Sequence, residues 1–454
     1  MRSRKTRQRT LFSADLRHEI GKELEAISEI LDNTPKIYDL ILDDLTQNRT
    51  DTGRKGLNAE QVLRICILKQ YRGLSYRELS FHLGDSYVFR GFARLGMGQY
   101  PNHSTLQKNI KSVSERTWEE IHHHIVLYAR DEKIESGRKV RIDSTAIETD
   151  IHDPSDSTLL NDGIRIITRW LNEGHALKPS PGYLFSDHTR VAKKRLMEII
   201  NAKNAKVRVK AYRNLVGYAK KTVGYAISAI PLLRAYDNGD LRDCSKAVNL
   251  ARHLERAVGL MGKIIDQTER RVFKGEKVPA SEKIISLFED HSDIIIKDRR
   301  DVNFGHKVFL TGGVSSMILD CRITRGNPSD TELYIPMLER LKKIYGKAPR
   351  QVSADGGFAS KENLKKAKTD LKVKDAVFAK KRGLSVIDMA KSSWVYKALR
   401  NFRAGIEANI SVLKRSFGLD RCTWKSWQGF CRYVWSSVVS YNLQVMARIK
   451  LAQL

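Results

Sequence analysis

Cysteines are scarce in this sequence, and their arrangement argues against the structures that cysteines usually build. Five are present in 454 residues, and no two of them form a CxxC pair. A disulfide framework and a zinc ribbon are therefore both poorly supported. No apolar run reaches the roughly 18 residues of a membrane span, and no apolar signal core follows the basic start of the chain. These absences predict a cytoplasmic protein that does not cross a membrane.

Acidic residues are also few relative to basic ones. Lys and Arg number 81 against 52 Asp and Glu, which gives a net charge of +29. Because Lys and Arg release counterions when they neutralise phosphates, this balance favours nucleic-acid binding. The basic segment 1–10 is predicted to be an arm that contacts phosphates. Residues 190–221 carry eleven Lys or Arg and one acid, so Lys206, Arg208 and Lys210 are predicted to face DNA.

The first quarter of the chain is predicted to be helical. Apolar residues recur at helical spacing between residues 13 and 130. Two short helices near 73–84 and 86–95 are compatible with a helix-turn-helix. Ser75 is the expected cap of the first, and Glu78 is its capping-box partner. We predict a helical DNA-binding or dimerisation region at residues 1–132.

An α/β region follows, interrupted by a helical segment. Apolar and polar residues alternate at 139–151, which is typical of a strand. Helices are predicted at 330–346 and from Trp394 onwards. The further strand-like runs are 293–298, 306–313, 315–324, 352–357 and 375–381. The predicted domains are an α/β catalytic domain at 133–156 and 291–425, a basic helical insertion at 157–290, and a C-terminal helix at 426–454.

Three acids occupy positions where side chains can converge. Asp143 is predicted late in the first strand, and Asp355 follows a later strand and precedes two glycines, which permit close approach. On the helix 401–418, Arg403, Glu407 and Lys414 fall within an arc of about 40° beside an apolar face. Converging carboxylates bind Mg²⁺ or Mn²⁺. Two such ions activate the attacking oxygen and stabilise the leaving oxygen at a phosphodiester bond. By spacing alone, a simple ion pair on the helix surface is the alternative.

Other acids and histidines offer competing sites. Asp320 lies in a strand-like run and is an alternative to Asp143. The histidines at 122–124 point about 100° apart on a helix, so they cannot all bind one ion. His152 is predicted to form a loop hydrogen bond, and the apolar helix near 428–450 is predicted to pack on the catalytic domain. The acids that follow Asp143 do not form a calcium loop, because the Gly and the Glu of such a loop are missing. They are predicted to be turn residues or caps and are Asp150, Asp153 and Asp156.

Three short motifs occur in a set order along the chain. They are IDST at 142–145, ADGGF at 354–358, and R-x3-E-x6-K formed by Arg403, Glu407 and Lys414. Together with ETDIHDPSDSTLL at 148–160, they resemble the DDE-type insertion-sequence transposases, and the resemblance covers most of the chain. The family pattern has a Tyr three residues before the Arg. Arg400 holds that place here, so no Tyr function is assigned.

The resemblance implies an RNase H-like catalytic domain. Asp143 would lie on its first strand, Asp355 on its fourth strand and Glu407 on a following helix, all three as catalytic metal ligands for two Mg²⁺ or Mn²⁺ ions. Arg403 and Lys414 would contact the transposon end. The implied partners are transposon-end and target DNA, bound by a homodimer or higher oligomer in the nucleoid of a bacterial or archaeal cell. The alternatives are a metal-dependent nuclease without strand transfer and a catalytically silent DNA-binding protein.

Overall fold

A computed structural model describes residues 2–5, 18–47, 56–297, 301–380 and 382–453 of the chain. Its helices are α1 (Glu19–Asp32), α2 (Lys36–Thr46), α3 (Ala59–Arg72), α4 (Tyr76–Asp85), α5 (Tyr87–Phe92), α6 (His103–Ile110), α7 (Glu115–Asp131), α8 (Asp156–His175), α9 (Thr189–Asn201), α10 (Ala205–Arg234), α11 (Leu241–Thr268), α12 (Asp330–Tyr345), α13 (Lys361–Thr369), α14 (Val386–Met389), α15 (Ser393–Phe417) and α16 (Trp427–Leu451). Its strands are β1 (Lys139–Thr149), β2 (Asp293–Lys297), β3 (Asp301–Gly312), β4 (Ile318–Ile323), β5 (Gln351–Ala354), β6 (Asp375–Phe378) and β7 (Arg421–Cys422).

The chain divides into two compact units. One comprises Met1–Asp150 and Lys297–Leu454, and the other comprises Ile151–Ile296. The helical segment predicted at 157–290 falls inside the second unit. The finer domain boundaries given above stay predictions.

The N-terminal region is helical, as its apolar spacing predicts. The predicted capping box is confirmed, because Ser75 Oγ accepts a hydrogen bond from the Glu78 amide and Glu78 Oε2 accepts one from the Ser75 amide. A second capping box, formed by Asn58 and Gln61, begins α3. This helix ends at Gly73, whose φ of 62° suits a residue without a Cβ.

The basic N-terminal arm is described only in part, since residue 1 and residues 6–10 lie outside the described residues. Arg4 forms an ion pair of 2.8 Å with Asp39. Lys5 Nζ lies 4.9 Å from the centre of the Tyr38 ring. The described part of the arm therefore contacts α2, and its predicted contact with phosphates stays a prediction.

The sheet of the first unit is centred on β1. Strand β3 runs antiparallel to both β1 and β4, whereas β5 runs parallel to β1 and β6 runs parallel to β5. The resulting order is β4–β3–β1–β5–β6. Strand β1 ends at Thr149, two residues before the end of the predicted run 139–151. Strand β3 pairs with it as far as Glu148, and β7 pairs with its last residues. Asp143 therefore lies in the middle of β1, and the expectation that it lies late in the strand is wrong.

Helix α16 packs on the rest of the first unit, as its apolar spacing predicts. Asn442 hydrogen-bonds both the amide and the carbonyl of Ile318 at the start of β4. Gln70 of α3 donates to Ser436 Oγ at 2.8 Å. The helix thus joins the N-terminal helices to the sheet. Among the described residues, no helix is both long enough and apolar enough to cross a membrane.

The second unit has an apolar core of its own. Helices α8, α9, α10 and α11 contribute buried residues to one cluster that includes Leu160, Leu215 and Leu254. Helices α8 and α11 approach closely at Gly163, where an added Cβ would lie 1.9 Å from the sulfur of Met261. Lys206, Arg208 and Lys210, which were predicted to face DNA, are all exposed on α10.

Candidate active site

Strand register places two of the predicted acids side by side. In the parallel pairing of β1 and β5, Ile142 lies opposite Ala354, which is the last residue of β5. Asp143 directly follows Ile142, and Asp355 directly follows Ala354. The two carboxylates therefore leave neighbouring strands at one level of the sheet.

Helix α15 brings the third acid to the same place, and a glycine permits its approach to β1. An added Cβ at Gly405 would lie 1.7 Å from Arg141 Nη1. The Arg141 guanidinium is held there by the Phe402 carbonyl and the Ser316 hydroxyl, both 3.3 Å away. This contact puts α15 directly against the strand that carries Asp143.

The guanidinium of Arg403 contacts all three predicted acids. Its Nη2 lies 2.8 Å from Asp143 Oδ2 and 3.3 Å from Asp355 Oδ1. Its Nη1 lies 2.7 Å from Glu407 Oε1. The helical spacing of four accounts for the contact with Glu407, while the sheet register accounts for the other two. Asp143, Asp355 and Glu407 therefore converge on a single positive charge.

The turn after β5 fixes the orientation of Asp355. Its carboxylate accepts a hydrogen bond from the amide of Gly357 at 3.4 Å. An added Cβ at Gly357 would lie 2.4 Å from Asp330 Oδ2, and one at Gly356 would lie 2.7 Å from the Lys380 Cβ. Both glycines are thus required by close approach, as the sequence predicted, although the approaching groups are side chains of this protein.

The donor set at the three acids suits a hard divalent cation. Carboxylate oxygens are the ligands that Mg²⁺ and Mn²⁺ prefer, and the three carboxylates already surround a cation, the guanidinium of Arg403. In the described part of the chain, no three His, Cys, Asp or Glu side chains lie close enough together to hold an ion by themselves. At this site the guanidinium lies between the acids, so an ion would replace it.

Lys414 does not share the contacts of Arg403. Its Nζ lies 3.4 Å from Asp420 Oδ1, beyond the end of α15. The helix stops at Gly418, whose φ of 72° turns the chain so that Asp420 comes back toward Lys414. The alternative of a simple ion pair with Glu407 is therefore wrong for Lys414. Arg403 does form that ion pair.

The competing acids have partners of their own. Asp320 is fully buried, and its two oxygens bind Arg340 at 2.7 Å each. Asp156 binds Arg271 at 2.8 Å and Gln267 at 3.0 Å. Asp150 lies 3.4 Å from Arg421. Asp320 is therefore a structural acid and not a replacement for Asp143.

The histidines are also structural. His122 is fully buried and hydrogen-bonds the carbonyl of Ile318 at 2.9 Å. Its burial lowers its pKa to about 3. His152 Nε2 lies 3.4 Å from Asp162 Oδ2.

Gly405 and Arg141 contribute to the site but were not selected from the sequence. A glycine inside a helix costs about 1 kcal/mol relative to alanine, so Gly405, two residues before Glu407, carried a usable signal. Arg141 precedes Asp143 by two residues, which places both side chains on one face of β1. This spacing can be read from the sequence, so Arg141 could also have been selected.

Two models of known families match parts of the chain. A model described as a transposase DDE domain matches residues 264–443, and one described as a transposase domain (DUF772) matches residues 13–112. Asp355, Arg403 and Glu407 lie within the first match, and Asp143 lies outside both. The chain has no significant match among curated proteins or among solved structures.

Proposed function

The chain belongs to the DDE-type insertion-sequence transposases, and we propose that it binds the ends of an insertion sequence and catalyses metal-dependent strand cleavage and strand transfer. The observation that carries this proposal is the convergence of Asp143, Asp355 and Glu407 on Arg403. Acids gathered from two neighbouring strands and one helix supply the oxygen ligands that phosphodiester chemistry requires.

The catalytic domain is proposed to be RNase H-like. In support, Asp143 lies on the first strand, Asp355 follows the strand paired in parallel with it, and Glu407 lies on a later helix. The short strand β2 precedes β3, so β5 is the fifth strand of the chain instead of the fourth. The proposed division assigns residues 133–156 and 291–425 to this domain and residues 1–132 to DNA binding or dimerisation.

Asp143, Asp355 and Glu407 would hold Mg²⁺ or Mn²⁺, with two ions expected. When bound, the ions would activate the attacking oxygen and stabilise the leaving oxygen. The register of β1 and β5 holds the two aspartates in fixed positions, and the contact of Gly405 with Arg141 fixes the height of Glu407 above them. Arg403 neutralises the mutual repulsion of the three acids, and its guanidinium can grip a DNA phosphate with two hydrogen bonds once it leaves them.

The basic run on α9 and α10 is proposed to bind DNA. Lys206, Arg208 and Lys210 are exposed, and none of the three has an ion-pair partner among the described residues. Replacing all three by Glu should flatten the salt dependence of DNA binding. Each lost phosphate contact reduces the slope of log affinity against log salt by about 0.9. An unchanged slope would show that this run lies away from the DNA.

The test of the proposed function is cleavage of DNA that carries the inverted repeats flanking the gene. Asp143→Asn, Asp355→Asn and Glu407→Gln should each abolish Mg²⁺-dependent cleavage while leaving end binding largely intact. Glu362→Gln is the matched control, because Glu362 is an exposed acid on α13 that pairs with Lys366. Near-normal cleavage by any of the three variants would remove that acid from the assignment.

The products of the same assay separate the competing functions. Joining of the cleaved end to a target plasmid is expected of a transposase. Cleavage without joining would identify a metal-dependent nuclease, and binding without cleavage would identify a silent DNA-binding protein. Mass photometry of the protein on end DNA should show two or more copies per complex, as expected for a homodimer or higher oligomer.

A further inference from the structure

A cluster of cations lines a cavity at the amino-terminal ends of the parallel strands β1, β5 and β6. The cavity has a volume of about 470 Å³, and each residue that lines it has a charged or polar side chain. We call it the basic cavity. It is lined by Arg138, Lys139, Arg350, Gln351, Lys374, Asp375 and Lys391. Five of the lining residues are Lys or Arg and one is Asp, so the charge of the lining favours an anionic ligand.

The backbone holds these cations next to one another. Lys139, Gln351 and Asp375 are paired across the starts of β1, β5 and β6. Directly before these starts, the Arg350 amide donates to the Arg138 carbonyl at 2.7 Å, and the Lys374 amide donates to the Arg350 carbonyl at 2.9 Å. A basic residue thus precedes each of three adjacent strands. The cluster is built into the sheet and does not depend on side chains meeting by chance.

The positive charge of the basic cavity is not balanced from within. Asp375 is its one acid, and its oxygens accept from the Gln351 side chain and the Lys391 amide, both at 2.9 Å. Lys139 Nζ lies 4.4 Å from the centre of the Phe402 ring. No ion pair joins any of the five cations to an acid within the described residues. Like charges held this close repel one another, and a bound polyanion would relieve that repulsion.

Lys139 links the basic cavity to the face of β1 that carries Asp143. Lys139, Arg141 and Asp143 are spaced by two, so their side chains share one face of the strand. Phe402 contacts both Lys139 and Arg141, and the next residue, Arg403, contacts Asp143. Four residues of strand span about 13 Å at 3.3 Å per residue. That length corresponds to the rise of about four base pairs along the axis of a DNA duplex, at about 3.4 Å each.

We propose that the basic cavity binds the phosphodiester backbone of DNA about four nucleotides from the bond held at the acids. This inference rests on the proposed function and adds a second phosphate anchor to it. With one anchor at the acids and another at the strand starts, the direction of the DNA strand across the sheet is set. The cut position then depends on the cavity as well as on the acids.

The test compares two variants that lose the same charge. Arg350→Gln combined with Lys374→Gln removes two cavity cations. Lys342→Gln combined with Lys343→Gln removes two exposed cations of α12 and is the matched control. Duplex binding is measured by fluorescence anisotropy between 50 and 300 mM salt. The slope of log affinity against log salt should fall by about 1.8 in the cavity variant, at about 0.9 per contact, and stay unchanged in the control.

Each outcome of this test bears on the inference. Loss of hydroxyl-radical protection about four nucleotides from the cut site, in the cavity variant alone, supports it. Equal slopes in the two variants, with DNA binding by the wild type, overturn it and leave the proposed function standing. Inorganic phosphate is also added to the wild type at the same molar concentration as the DNA nucleotides. If it displaces the duplex, the cavity binds free phosphate instead of DNA. Failure of the wild type to bind any DNA would overturn the inference and the proposed function together.

Discussion

Replacing Arg403 by Met should tighten the binding of Mn²⁺ to the protein in the absence of DNA. The Arg403 guanidinium lies between the three acids: it donates hydrogen bonds to Asp143 and Glu407 and forms an ion pair with Asp355. A divalent ion therefore has to displace a positive charge that is already bound. Met has nearly the length of the Arg stem and fills similar space without competing for the carboxylates.

The size of the effect follows from the exposure of each contact. Arg403 and Asp143 are 18% and 14% exposed, so their charged hydrogen bond is worth about 1.5–3 kcal/mol. Glu407 is 59% exposed, and its pair with Arg403 contributes about 0.5 kcal/mol or less. At about 1.4 kcal/mol for each factor of ten, removal of the competitor should lower the Mn²⁺ dissociation constant by roughly 10- to 100-fold.

Isothermal titration calorimetry with Mn²⁺ measures this directly. Lys414→Met is the control, because Lys414 lies on the same helix but pairs with Asp420. It should bind Mn²⁺ as the wild type does. The double variant Arg403→Met with Glu407→Gln should lose the gain. If Arg403→Met binds Mn²⁺ no more tightly than the wild type, or more weakly, Arg403 positions the acids instead of competing for them.

Three further changes test other parts of the structure. Gly405→Ala should lower the melting temperature, with a cost of about 1–3 kcal/mol for overpacking, because the added Cβ would meet Arg141 Nη1 at 1.7 Å. Gly217→Ala on α10, where nothing lies within 4 Å of the added Cβ, should not destabilise. Burial lowers the pKa of His122 to about 3, so the unfolded state binds a proton more readily than the folded state. The free energy of unfolding should therefore fall as the pH drops from about 6.5 toward 3, by up to about 1.4 kcal/mol per pH unit. Urea melts of His122→Gln should show a flatter pH dependence, whereas the exposed His103→Gln should not. Lys414→Ala should weaken end binding or blur the cut site in a footprint while Mn²⁺ affinity stays the same, and wild-type protection would leave Lys414 as a partner of Asp420 only.

Local features of the fold could be predicted from the sequence because they depend on nearby residues. Ser75 and Glu78 lie three residues apart, and their capping box forms as expected. Helix α13 was missed, because its lysine-rich sequence buries only Asn363, Leu364 and Ala367 and so lacks an apolar stripe. Strand β1 was predicted correctly, but its length depends on the distant β3.

The site itself could be predicted only in part. The spacing of Arg403 and Glu407 gave their ion pair, since both lie on one helix. The contacts of Arg403 with Asp143 and Asp355 depend on the parallel pairing of β1 with β5, which are some 200 residues apart in the chain. Helical angle alone also grouped Lys414 with these residues. Lys414 pairs instead with Asp420, which lies beyond the turn at Gly418 and is not part of the helix.

Metal rescue is the most direct test of the claim that Asp143, Asp355 and Glu407 hold the metal. Each acid is replaced by Cys, one at a time, and cleavage of end DNA is measured with Mg²⁺ and with Mn²⁺. A thiolate binds softer ions better than Mg²⁺, so each variant should be inactive with Mg²⁺ and regain activity with Mn²⁺. Glu362→Cys should cleave equally well with either ion. Full activity of any of the three site variants with Mg²⁺, or no rescue of any of them by Mn²⁺ despite intact DNA binding, would contradict the account.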